Sequence, residues 1–382
     1  MRIYWIVLAL LFPLLSRAQA IQSCDPSPES LVDSRSVAQL RELIQTKNFK
    51  GLEDALEDRL RRYEAGQYSD LAIFLLIDGA VSSADASFDP ILKQWIAERP
   101  RHLMARIVRA NYHIGVAYKK RGSAVANQTS SEQFAAMGAE FAKAFTDLKV
   151  ALEIRPNSPL AIAGLIQIAR ATGGRPAALG WIEEAERRDP ANLSARWVAI
   201  RALDQRWGGH PEDIDLLVER AMKAPLAPAR RRALQWKAEM TQGDYFYSMS
   251  KENTKAIVHY RKAASLCASS DALWKLSSAA YDLENWAVVI DSVGEFLVLK
   301  PDAQRAYARR GWAKESLNRL PDAIPDYEKA AALGDEWAQN KLGYLLMTGN
   351  GVNKDIPRAR KLFEAAAAQG NQHAPANLAS MR

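Results

Sequence analysis

The feature that most constrains this chain is a repeat in its C-terminal half of about 34 residues, a length typical of stacked helix pairs. With Gly311 as the small residue midway along one helix, Ala323, Tyr327 and Ala330 follow at offsets of 12, 16 and 19 on the next. One repeat earlier the frame reads Ser277, Val289, Val293 and Phe296 and closes on Pro301. Another unit upstream, after a one-residue slip, supplies Ala256, Tyr260 and Ala263. Small residues let two antiparallel helices approach, the aromatic fills the gap between pairs, and proline stops the second helix. One such pair cannot bury its apolar face alone, so a repeat of this length predicts stacking. The expected fold is an all-α solenoid, a right-handed superhelix of antiparallel helix pairs.

These spacings resemble the tetratricopeptide repeat, expected over residues 237–337. From Ala338 the pattern changes to Leu342, Gly343, Gly349, Gly351, Val352, Asp355, Ala359, Phe363, Ala366, Gly370 and Ala374. That series resembles a Sel-like repeat, expected over 338–374, with Leu346 where that family usually has tyrosine. Gly349 and Gly351 are suited to the positive φ angles of a wide turn, and Asp355 to capping the second helix.

Helical periodicity also runs through the first half, and no segment alternates as a strand would. Pro156 and Pro190 are one repeat apart, whereas Pro100 precedes Pro156 by well over a repeat, and the surplus falls in Lys119 to Glu140. Thr129 and Glu132 fit a capping box that opens the following helix. Surplus length at one joint of a repeat array falls on one face, so Lys119, Lys120 and Arg121 become candidate binding residues. Asp58-Arg59-Leu60-Arg61-Arg62-Tyr63-Glu64, Trp95 to Pro100, Tyr118 to Gly122 and Arg206-Trp207-Gly208-Gly209 together resemble a bacterial domain of unknown function. That resemblance implies a tetratricopeptide-like helical domain, expected over 37–232, and carries no catalytic residues with it.

At the N-terminus, Arg2 precedes the apolar run Ile3 to Leu15, and Ala18-Gln19-Ala20 offers the small residues a signal peptidase requires. The run is too short to span a bilayer. Residues 1–20 are therefore expected to be a cleaved signal, followed by a flexible polar arm over 21–36, with the mature protein periplasmic and free of an integral membrane span. Loss of Arg2 and Arg17 lowers the formal charge from +7 to +5, dispersed in clusters of three, which argues against a nucleic-acid partner. The two cysteines, Cys24 and Cys267, do not make a disulfide scaffold, and no local spacing forces them together. Buried Cys267 and free Cys24 are expected over a bridge.

None of His102, His113, His210, His259 and His373 stands at metal-ligand spacing from another, and no nucleophile elbow, phosphate loop or dinucleotide fingerprint occurs. No cofactor, metal or catalytic constellation is expected, and the chain does not read as an enzyme. Function is expected instead on the groove lined by the first helices. There Trp197, Arg201 and Asp204 share one helix, Trp274, Ser278 and Tyr281 another, and Arg305, Trp312 and Glu315 a third. The lysine and asparagine cluster that clamps a C-terminal carboxylate is missing. Aromatic and arginine side chains suit a protein or peptide partner, with an envelope glycan stacked on indole as the alternative.

Overall fold

The computed structural model describes residues 34–82, 85–122, 128–205 and 208–381. The expected signal peptide, nearly all of the arm with Cys24, the tip of the surplus segment, and Arg206 with Trp207 lie outside the described residues. Among the described residues every regular element is helical. The chain divides after Gln242 into two compact units, a boundary later than the expected 232.

The first unit holds α1 (Ser34–Gln45), α2 (Phe49–Glu64), α3 (Asp70–Val81), α4 (Phe88–Glu98), α5 (Leu103–Arg121), α6 (Ser131–Ile154), α7 (Pro159–Thr172), α8 (Gly174–Arg188), α9 (Ser194–Ala202) and α10 (Pro211–Lys223). Most of α11 (Pro228–Tyr245) belongs to it as well. α1 starts at Ser34, ahead of the expected boundary at Val37.

α3 organises this unit. Its sequence, DLAIFLLIDGAV, is apolar on every side, and a helix of that kind must be surrounded. α1, α2, α5, α7 and α9 all pack on it. The helix pairs therefore converge on a central element instead of touching neighbours alone. Asp70, at the N-terminus of α3, is fully buried. Its Oδ2 accepts hydrogen bonds from the backbone N–H groups of Leu193 (3.0 Å) and Ser194 (2.8 Å) and from Ser194 Oγ (2.8 Å). The start of α9, whose own N-cap Leu193 offers no side-chain acceptor, is thus capped from 123 residues away. Burial pushes the Asp70 carboxyl above the usual carboxylate range, against these hydrogen bonds.

The second unit begins in the last turn of α11 and a π-helical turn, Phe246–Ser250, and continues as α12 (Asn253–Leu266), α13 (Ser270–Asp282), α14 (Trp286–Leu299), α15 (Gln304–Ser316), α16 (Leu320–Ala332), α17 (Glu336–Thr348), α18 (Ile356–Ala368) and α19 (Ala374–Ala379). Its main contacts run from each helix to the next. The joints are built as the repeat requires. A Cβ on Gly311 would lie 2.6 Å from Tyr327 Cε1, one on Gly243 2.6 Å from Tyr260 Cε1, and one on Gly343 2.8 Å from Phe363 Cε1. At the remaining joint fully buried Ser277 and Val293 replace the glycine and the ring. Caps here are local: Ser269, Asn285, Asp335 and Asp355 each accept from a backbone N–H one turn on. Gly349 and Gly351 take the expected positive φ angles, 76° and 73°. Cys267 is disulfide-bonded, which overturns the expectation of an unbridged thiol, and Cys24 lies outside the described residues.

Candidate functional site

The second unit repeats a charged contact along its first helices, with one interruption. At the joint of α11 and α12, Asp244 accepts from Tyr260 Oη (2.8 Å) and from Lys275 Nζ (3.0 Å) on α13. At the joint of α15 and α16, Glu315 accepts from Tyr327 Oη (2.6 Å) and from Lys341 Nζ (2.6 Å) on α17. Burial, together with the adjacent carboxylate, pushes both tyrosine hydroxyls far above the usual phenol range. In each case a second-helix tyrosine, a first-helix acid and the next repeat's cation form one closed set.

The middle joint lacks two of the three parts. Arg309, one repeat after Lys275, points back across α13, where Val293 replaces the tyrosine, Ser278 stands one repeat after Asp244 and Tyr281 one repeat before Glu315. Its Nη1 donates to Ser277 Oγ (2.7 Å) and Ser278 Oγ (3.0 Å). The guanidinium lies 3.8 Å from the centre of the Trp274 ring and 5.7 Å from that of Tyr281. Burial lowers the Arg309 pKa, opposed by the charges of Tyr281, Tyr247 and Asp282. Asp282 itself accepts from Tyr247 Oη at 2.8 Å. Among the described residues no carboxylate pairs with Arg309.

Of the expected groove residues, Trp274 is half-buried and also packs on Phe296, with ring centres 5.2 Å apart. Tyr281 is 37% exposed and meets Trp286 edge-on at 5.3 Å. Trp312 is half-buried against the edge of Trp337 (5.5 Å), with Lys341 Nζ 5.9 Å from its ring. Arg305 is exposed, and its charge partly offsets the burial that raises the Asp335 pKa. Trp274 and Tyr281 are thus brought together by Arg309, a residue outside the expected set. The signal for it was present in Lys275, Arg309 and Lys341, a cation at the same place in successive repeats.

The first-unit members of the set are placed differently. Trp197 is a core residue, 8% exposed and stacked on Trp236 of α11 at 6.2 Å, so it lines no groove. Its position in the repeat frame was right for a first helix, but α11 covers that face. Arg201 is exposed, and its charge lowers the pKa of Asp78 against the burial that raises it. Lys119 and Lys120 are exposed at the end of α5, but Lys120 Nζ is 2.7 Å from Glu140. Arg121 Nη1 reaches the neighbouring Gly122 carbonyl at 3.4 Å.

Glu140, at the far end of the surplus segment, is buried and also bonds to Lys143 (2.9 Å) and His113 Nδ1 (2.8 Å). Burial pushes its carboxyl up, but hydrogen bonds from Lys120, Lys143 and His113 outweigh this and hold it at about 2. Burial lowers the His113 pKa, with Glu140 opposing. This end of the segment therefore joins α5 to α6. The capping box that opens α6 is Ser130 with Gln133, one position beyond the expected Thr129 and Glu132, because Ser130 holds the extended N-cap conformation. Among the described residues no three histidine, cysteine, aspartate or glutamate side chains are grouped to hold a metal ion.

Residues 36–196 match the model of a domain of unknown function, DUF4034, and residues 243–266 and 338–371 match the Sel1 repeat. The chain therefore carries a DUF4034 domain followed by Sel1 repeats, the first of them in a stretch expected to be tetratricopeptide-like throughout. No curated protein matches the sequence. Among solved structures it is similar to a Sel1 repeat protein from Oxalobacter formigenes, at 17% identity over 92% of each chain with a TM-score of 0.37. A protective antigen of uropathogenic Escherichia coli with an SLR fold is 18% identical over 89% of this chain and 82% of that one, TM-score 0.33. The C-terminal part of a TPR repeat-containing protein from Cytophaga hutchinsonii is 17% identical over 63% of this chain and 95% of that one, TM-score 0.44.

Proposed function

We propose that the protein is an exported, non-catalytic adaptor of the cell envelope that binds a protein partner along the first helices of its second unit. The observation that carries this reading is the row of half-open side chains, Trp274, Tyr281, Arg309 and Trp312, on α13 and α15. Most apolar side chains facing the joints are buried, so rings left half-open on successive first helices are suited to act as anchors. The Sel1 repeats support the reading, since repeats of this kind generally mediate protein binding. A protein partner is favoured over a glycan because Arg309 already covers a face of Trp274 at 3.8 Å, where a sugar would have to stack. Export rests on Arg2, the apolar run and the Ala-Gln-Ala site. Among the described residues no helix is long and apolar enough to cross a membrane.

Pull-down from an envelope extract by the tagged mature chain, with and without glycan digestion, tests the function. Wild type should retain a protein partner after digestion, and Trp274→Ala should lose it by roughly thirtyfold in affinity, about 2 kcal/mol. A partner lost only on digestion overturns the protein reading in favour of the glycan. Intact mass of the exported form should begin at Ile21, and a chain that keeps Met1 rules out cleavage.

A further inference from the structure

The broken periodicity at Arg309 defines a chemistry for the partner. Lys275 and Lys341 are each neutralised by an acid of the preceding first helix, Asp244 at 3.0 Å and Glu315 at 2.6 Å. Ser278, one repeat after Asp244, stands where that acid belongs at the middle joint, and its hydroxyl is 3.0 Å from Arg309 Nη1. Nε and Nη2 of Arg309 donate to no group of the described residues, although the guanidinium is fixed in place by Trp274 and two serine hydroxyls. An Arg edge with Nε and Nη2 free matches the two oxygens of a carboxylate, and a planar fork held in advance loses little entropy on pairing. Beside it, at 5.7 Å, Tyr281 (37% exposed) leaves apolar surface open.

We propose that the second unit binds a protein segment bearing an aspartate or glutamate side chain, whose carboxylate completes the acid missing beside Arg309 while an apolar neighbour covers Tyr281. This rests on the adaptor reading and gives its partner a chemistry. Paired in this way, the carboxylate does for Arg309 what Asp244 does for Lys275. The two differ in that one acid is built in and the other is supplied by the partner.

The substitution Ser278→Asp supplies the acid from within and is the decisive variant. Random twelve-residue peptides displayed on phage would be selected against the full mature chain, and enriched peptides synthesised and titrated by fluorescence. The expected result is an acidic residue at a fixed position beside an apolar one. Replacing that acid by its amide should weaken binding about tenfold or more. Ser278→Asp should lose binding by a similar factor while its melting temperature is kept or raised, and Arg309→Gln should lose binding too. Enriched peptides without an acid, or acidic peptides bound equally by Ser278→Asp, overturn this inference and leave the adaptor reading standing. Failure of the wild type to enrich any peptide overturns both. If Arg309→Gln does not fold, Ser278→Asp decides alone, because it adds an ion pair and removes only a weak hydroxyl contact.

Discussion

The two units solve the same problem, stacking helices that cannot stand alone, by opposite means. In the second, each helix is held by the next, and α13, α14, α17 and α18 are each capped by a residue one turn before the amide it serves. In the first, groups far apart in sequence close on one another. Asp70 caps α9, Tyr63 Oη donates to Asp189 (2.8 Å), and Arg230 reaches the Tyr68 carbonyl (3.1 Å). Fully buried Asp147 takes Arg106 at 2.8 Å and Arg109 at 2.7 Å. A local repeat fails locally, whereas a unit closed by long-range buried charges is expected to fail as a whole. The same contrast bears on function, since the first unit meets buried Asp147 and Glu140 with cations of its own and the second leaves Arg309 without an acid.

The largest expected effect falls on the first unit. Asp147→Ala leaves two half-buried guanidinium groups without their acid, and removing one partner of a buried pair costs about 3–5 kcal/mol. Urea unfolding should show this loss, with hydrogen exchange accelerated together in α3, α5, α7 and α9. Acceleration confined to α5 and α6 would mean that this unit, too, is coupled only between neighbours.

Next comes the second unit. Gly311→Leu drives a side chain into Tyr327, whose ring is already within 2.6 Å of where Cβ would lie, at a cost of about 1–3 kcal/mol. Exchange should rise in α15 and α16 and their neighbours, while α1 to α9 keep their protection. An equal rise throughout the chain would refute nearest-neighbour coupling.

The smallest effect is acid sensitivity. The folded pKa of His113 lies below its ordinary 6.5, and that of Glu140, about 2, lies below its ordinary 4.5. Both shifts leave the native state with fewer bound protons than the unfolded chain. Stability from His113 is therefore lost as pH falls below about 6.5, and that from Glu140 between about 4.5 and 2. Asp70, raised by burial, acts in the opposite sense. Discounted for its half-exposed lysine partners, Glu140 should contribute about 1–2 kcal/mol. Urea midpoints at pH 5 and pH 3 should therefore differ more for wild type than for Glu140→Gln, and equal differences would mean that the lysine contacts contribute nothing.

Much of the second unit was legible because its contacts are periodic. Gly311 against Tyr327, the positive φ of Gly349 and Gly351, and Asp355 capping Arg358 N–H at 2.9 Å all follow from spacing within one or two helices. The groove was legible in part: Trp274, Tyr281 and Trp312 are half-open, whereas Trp197 is core. A repeat frame assigns the face of a helix but not what the rest of the chain lays over it, and α11 covers Trp197.

By itself the sequence determined the helical class, the repeat length and the residues at each joint, because helix periodicity and close packing are local demands that a few positions must meet. Only the tertiary structure decided that α3 would be surrounded, that Asp70 would cap a helix 123 residues on, and that Arg309 would lack the acid Lys275 and Lys341 possess. Those outcomes depend on which distant groups meet. Spacing along the chain cannot specify such meetings, since closing a long loop costs little more than closing a shorter one.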